Sequence, residues 1–205
     1  MAGFDEQIVR EYFELQGFMV RQWRKYQTPP RKKLPEEEID LLVYNPNYVR
    51  GGRAPNFMLF SSELPYIHRA VVTVRGWHTA QHFTPRLIQN SSEIVKFLER
   101  DVLKSAEEFF GPSDDYFGKD GGSLHKILVL PGLPTAEPHR SESIALLREK
   151  GVDAVISFRS MLADIISMVE INRNYAKSDL LQIIRILKAY DLCKDPQMKL
   201  FSGEQ

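Results

Sequence analysis

Six basic residues fall between Gly17 and Lys33 (Arg21, Arg24, Lys25, Arg31, Lys32 and Lys33), and no acid interrupts them. Cationic groups at this density suit contacts to phosphates, so the stripe is a candidate nucleic-acid-binding surface. A solvated, charged strand and loop is the plainer reading, and both stay open. Just beyond it, "EEEIDLLVYNP" (Glu36 to Pro46) brings carboxylates to the start of an apolar strand. Glu38 and Asp40 are two apart there, hence on one strand face. "AVVTVRGWHT" (Ala70 to Thr79) puts Thr73, Arg75 and Trp77 on one face of another apolar strand. An arginine steadies a phosphate with its fork of donors but stays protonated and cannot act as a base. A threonine hydroxyl is neutral, a far weaker ligand for a hard cation than a carboxylate. His78 and His82, four apart, would share a helix face as zinc ligands require. However, "GWHTAQHFTP" reads as a loop, so these histidines are expected to line the sheet edge or to be exposed.

The elements that must position these groups follow from periodicity. Ile8, Val9, Tyr12, Phe13 and Leu15 recur at helical spacing between Asp5 and Gln16, and Gly17 stands where a helix stops. "FMVRQWRKY" reads as a strand, "QTPPRKKLPEE" as a Pro-rich loop, and "EIDLLVYN" as a second strand. A long connection follows with one strand piece, "FMLF" (Phe57 to Phe60), and then "RAVVTVRGW", apolar on both faces as a central strand is. A helix is expected from Ser92 to Phe110, a buried strand at "KILVLPGLP", a helix at "SESIALLREKG" and a buried strand at "VDAVISF". Two helices close the chain, Met161 to Asn172 and Asp179 to Leu192, with Ser160 and Ser178 as N-caps. Helices alternate with strands in the second half, which predicts a mixed sheet with helices on both faces.

The chain has 205 residues, 43% hydrophobic and 26% charged, enough to bury a real core and too apolar for a disordered chain. No apolar run approaches a bilayer span, so no membrane is expected. The opening residues lack the layout of a secretory leader, and Cys193 is the only cysteine. A cytoplasmic location and a buried, inert thiol are the expectations. Net charge is zero, yet residues 1–100 hold 14 Lys and Arg against 11 Asp and Glu, so any attraction to nucleic acid must be local. The sequence has neither a GxGxxG nor a GxxxxGK[ST] loop for nucleotide phosphates, and no GxSxG elbow for a serine hydrolase.

The order helix, three-strand meander, helix, strand, together with "DEQIVREYFELQGFMV", "EIDLLV" and "VVTVRGW", resembles the PD-(D/E)xK nuclease superfamily over roughly residues 4–131. The resemblance implies a restriction-endonuclease-like α/β core over 1–159, with a C-terminal helical extension over 160–205 packed on it. It places Asp40 at the metal-binding Asp and Glu6 at the helix-one acid of some members. Thr73 stands where the third-strand acid belongs, and Arg75 where its Lys belongs. Catalysis would then rest on Asp40, Arg75, Glu6 and Thr73, with Mg²⁺ held by Asp40 and Glu6. Glu38 or Glu63 would supply the charge that Thr73 lacks. Thr73 and Arg75 keep the phosphate-holding half of the motif and lose the metal-holding half. The implied function is therefore either a divergent Mg-dependent DNA endonuclease or a catalytically impaired descendant that binds nucleic acid, DNA favoured. The alternative is a protein-interaction scaffold that assembles through its C-terminal helices, as a homodimer among other possibilities.

Overall fold

The first helix shows how closely the chain's ends and turns follow local chemistry. The computed structural model describes residues 3–22, 40–51, 54–76, 78, 94, 96 and 124–193. Helix α1 (Phe4–Leu15) buries Ile8, Val9, Tyr12 and Phe13. It ends in a Schellman turn: Phe18 N–H donates to Phe13 O and Gly17 N–H to Glu14 O, both at 3.0 Å. Gly17 has φ +85°, the left-handed conformation such a turn requires. The Phe13 and Phe18 rings meet edge to face at 5.3 Å, the apolar contact that accompanies this cap. The chain thereby reverses straight into strand β1 (Met19–Gln22).

Strands β2 (Leu41–Tyr44) and β3 (Arg69–Val74) complete an antiparallel meander with β1. Strand β4 (Leu124–Leu130) pairs parallel with β3, and β5 (Ala154–Ser157) parallel with β4, in the order β1-β2-β3-β4-β5. The architecture is α/β with a five-stranded mixed sheet. The expected piece at Phe57–Phe60 forms a single parallel bridge, Met58 with Val155, backed by Leu59 N–H to Val155 O at 2.9 Å and Val155 N–H to Phe57 O at 2.7 Å. All six residues of β3 are buried, as its two-sided apolar pattern predicts.

Helix α2 (His139–Glu149) carries the crossover from β4 to β5, and α3 (Phe158–Met168) and α4 (Asp179–Ala189) follow. One sheet face, with Leu41, Val43, Ala70, Val72, Ile127, Val129, Ala154 and Ile156, shares a core with α1, α3 and α4. Met161, Ile165, Leu181 and Ile184 enter that core from α3 and α4, so the last two helices complete it. Ser178 caps α4 as expected, accepting from Leu181 N–H. Ser160 does not cap α3. The helix starts directly at the end of β5, and Ser157 Oγ accepts from Ser160 N–H at 3.1 Å. Cys193 is half-buried rather than buried. Of the expected helix from Ser92 to Phe110, only Ile94 and Lys96 are described, and both are helical.

Candidate functional site

Asp40 sits where the β2–β3 ladder runs out. Its backbone N–H donates to Val72 O at 2.9 Å, the last main-chain rung among the described residues. The next N–H on that side of β3 belongs to Val74, and it donates to Asp40 Oδ2 at 2.6 Å. The carboxylate thus takes the place of a backbone carbonyl and satisfies a donor that strand termination would otherwise leave unpaired. Arg75 leaves the end of β3 with its N–H on Val129 O of β4 at 2.7 Å. Its Nη1 donates to Val74 O at 2.9 Å and lies 3.5 Å from Asp40 Oδ2. The two side chains are 16% and 21% exposed, so solvent reaches both and the pair is weak beside the 2.6 Å hydrogen bond. Thr73 is fully buried.

Asp5 and Glu6 take separate directions from the first turn of α1. Glu6 Oε2 accepts from Gln22 Nε2 at 2.9 Å, which ties α1 to β1 opposite Leu41. Asp5 is the helix-one acid that reaches the segment after β3. Its Oδ1 lies 2.6 Å from His78 Nδ1, and its Oδ2 accepts from His78 N–H at 3.2 Å. The His78 ring stands edge-on to Phe158 at the start of α3, 4.4 Å between centroids. Gly76 makes this approach possible. A Cβ there would lie 2.5 Å from Asp5 Oδ2 and 2.8 Å from the Phe158 ring. Asp5 is a residue the motif comparison passes over, and the sequence holds the signal for it. Ile8, Val9 and Tyr12 lie three, four and seven positions on, so Asp5 stands on the buried stripe while Glu6 stands at its flank.

Arg21 is exposed on β1. Arg24, Lys25, Arg31, Lys32, Lys33 and Glu38 lie outside the described residues, as does His82. Glu63 is engaged elsewhere: its carboxylate accepts from Asn56 N–H and Nδ2 at 2.8 Å and from Phe60 N–H at 3.1 Å, capping a 3-10 helix at Ser61–Tyr66. A cavity of about 680 Å³ opens between α1, the end of β1 and the turn before α4. It takes in Glu6 and Leu41 but neither Asp40, Thr73 nor Arg75, so volume and candidate chemistry do not coincide.

A Mg²⁺ site needs several hard oxygens converging on one point. Asp40 turns one oxygen to Val74 N–H and Arg75, Glu6 is bonded to Gln22, and Thr73 brings no charge. Among the described residues no three Asp, Glu, His or Cys side chains group in a way that could hold a metal. Asp40, Glu6 and Thr73 as placed do not by themselves make such a site, and Glu38 lies outside the described residues. The arrangement offers instead a guanidinium at a strand end, held by the main chain beside a carboxylate that the fold itself uses. No family model, curated protein or solved structure matches the chain.

Proposed function

We propose that the chain is a restriction-endonuclease-like protein that engages nucleic acid, DNA foremost, at the Arg75 end of its sheet and no longer cuts it by the family's Mg-dependent route. One observation carries the reading. Asp40, the residue the resemblance assigns to the metal, spends its carboxylate on Val74 N–H and Arg75. Under the resemblance Arg75 stands at the family's phosphate-holding position, and a guanidinium there suits a phosphate oxygen. The test pairs binding with cleavage. The wild-type chain binds labelled DNA in a salt-dependent way, Arg75→Ala weakens that binding several-fold, and neither Mg²⁺ nor Mn²⁺ produces nicking of plasmid, single-stranded or branched DNA. Metal-dependent cleavage that disappears in Asp40→Asn refutes the loss of catalysis.

A second reading rests on α4. Ile183, Ile186, Leu187 and Tyr190 recur at i, i+3, i+4 and i+7, all are exposed, and Ile183 is 55% exposed. An assembly scaffold would use this stripe for a homodimer or another partner. Light scattering after gel filtration decides the homodimer case: a dimer that Ile186→Glu turns into a monomer supports it, and a monomeric wild-type chain at high concentration excludes it.

A further inference from the structure

At the other end of the β2–β3 ladder the chain builds a short row of rings. Tyr44 closes β2, and its ring lies 5.3 Å from that of His68, just before β3. On the ladder's far side from Asp40, four residues of strand separate the two ends, about 13 Å at the usual rise. His68 stacks on Tyr48, centroids 4.8 Å apart and planes 27° from parallel, within the range of offset aromatic pairs. Tyr44 is 38% exposed. Tyr48 and His68 are half-buried, and Arg50 is exposed and near enough to His68 for its charge to act on that ring.

The backbone beneath the rings is fixed. Asn45 Oδ1 accepts from Asn47 N–H at 2.9 Å, and Asn45 N–H donates to His68 O at 2.8 Å. Val49 N–H donates to Pro65 O at 2.9 Å, and Asn45 Nδ2 to Leu64 O at 3.4 Å, so the turn is pinned to the 3-10 helix at Ser61–Tyr66. Rings held this way lose little freedom when a flat ligand stacks on them. The local charge is positive. Burial first, then the nearby Arg69 and Arg50, lower the pKa of His68, which keeps its ring neutral and suited to stacking. Arg69 is buried, and among the described residues Arg50 is the exposed cation near His68 that could meet a phosphate.

We propose that Tyr44, His68 and Tyr48 form a stacking platform for an unpaired nucleobase, with Arg50 contacting the adjoining phosphate. The occupant is single-stranded nucleic acid, because only unstacked bases present a face to such rings. The inference rests on the nucleic-acid reading above but names a different place on the molecule. It predicts a dependence on the base itself, which a phosphate contact at Arg75 does not.

Fluorescence anisotropy with labelled oligo-dT, oligo-U and an abasic oligonucleotide of equal length tests it, with the full chain. The abasic strand should bind about tenfold more weakly than either base-bearing strand, as should both base-bearing strands to Tyr48→Leu or Tyr44→Leu. Tyr48→Phe, which keeps the ring, should bind within twofold of wild type, and thermal melts of each variant report folding separately. Arg50→Ala should lower the salt slope by about one phosphate contact, with base-bearing and abasic strands affected alike. The ratio of oligo-dT to oligo-U affinity tells DNA from RNA. Equal affinities for abasic and base-bearing strands, or folded Tyr44→Leu and Tyr48→Leu variants that bind like wild type, overturn the platform while leaving the Arg75 reading in place. A wild-type chain that binds none of the three strands but binds labelled duplex DNA overturns the platform alone, and one that binds neither single strands nor duplex overturns both.

Discussion

Asp40→Ala separates a carboxylate that serves the fold from one that serves a reaction. In the structure its Oδ2 accepts from Val74 N–H at 2.6 Å and lies 3.5 Å from Arg75 Nη1. A hydrogen bond to a charged group contributes about 1.5–3 kcal/mol. An ion pair this open to solvent adds under about 1 kcal/mol. Val74 is buried, so its N–H would be left without its partner in the variant. The expected loss is therefore about 2 kcal/mol, which in a chain of this length lowers Tm by about 4–8 °C. Asp40→Asn keeps an acceptor oxygen and loses the charge, so it should fall roughly halfway, about 1 kcal/mol. Urea unfolding followed by circular dichroism measures both. The midpoint should shift with an unchanged slope, since the surface exposed on unfolding is the same. If Asp40→Ala unfolds at the wild-type urea concentration, the ladder does not depend on this carboxylate and the argument fails. If that stable variant has also lost a metal-dependent cleavage, the residue belongs to catalysis.

Gly76→Ala should destabilise by about 2 kcal/mol, because its methyl group overlaps Asp5 and Phe158; thermal melts check it, and NMR should show the His78 ring released from Asp5. Ser157→Ala should cost about 1 kcal/mol as the loss of the α3 N-cap, also leaving Ser160 Oγ without its 2.8 Å partner; equal losses for a conservative change at Arg159, an exposed neighbour, would remove the capping explanation. His68 has a folded-state pKa below the usual value of about 6.5, so below that pH the unfolded chain takes up a proton that the folded chain resists. Stability should therefore be flat above about pH 6.5 and fall on acidification from there down to the folded pKa, and His68→Gln should flatten that part of the urea-midpoint profile. Thr73→Glu should destabilise by about 3–5 kcal/mol, since it places a carboxylate at a fully buried position. Added Mg²⁺ should not restore the melting temperature of that variant, and full restoration would show that the site still assembles around a metal.

Much of the fold was legible because local chemistry and tertiary packing agree. The helix stripe of α1, the stop at Gly17, the two-sided burial of β3 and the cap at Ser178 all follow from residue types at fixed spacings. The misplaced cap at Ser160 has a physical cause. Ser157 and Ser160 are both good caps, and the choice falls to the one that ends a strand already paired with β4. Strand lengths were less legible than strand order. The sequence carries the second strand from Glu38 through Asn45, but among the described residues pairing with β1 and β3 covers Leu41 to Tyr44 alone. The aromatic row was not legible at all. Tyr44, Tyr48 and His68 carry no periodic signal, and only the antiparallel return of β3 brings His68 beside the other two.

The candidate site shows the same division with a sharper consequence. A motif comparison asks which residue type stands at a position, and at helix one it selects Glu6, the acid at the expected offset. The buried stripe decides instead which acid reaches the segment after β3, and Ile8, Val9 and Tyr12 select Asp5. With Glu6 bonded to Gln22 and Asp5 bonded to His78, neither acid of the helix's first turn is placed to join Asp40 in a ligand set. Under the proposed resemblance, the acid that Thr73 lacks would be one of three departures in the same direction, alongside the structural use of Asp40 and the diversion of Asp5 and Glu6. Restoring a carboxylate at position 73 alone would repair one of them. The proposed anion-holding role of Arg75 would need none of the three repaired, and for that reason the binding proposal is preferred over the cutting one.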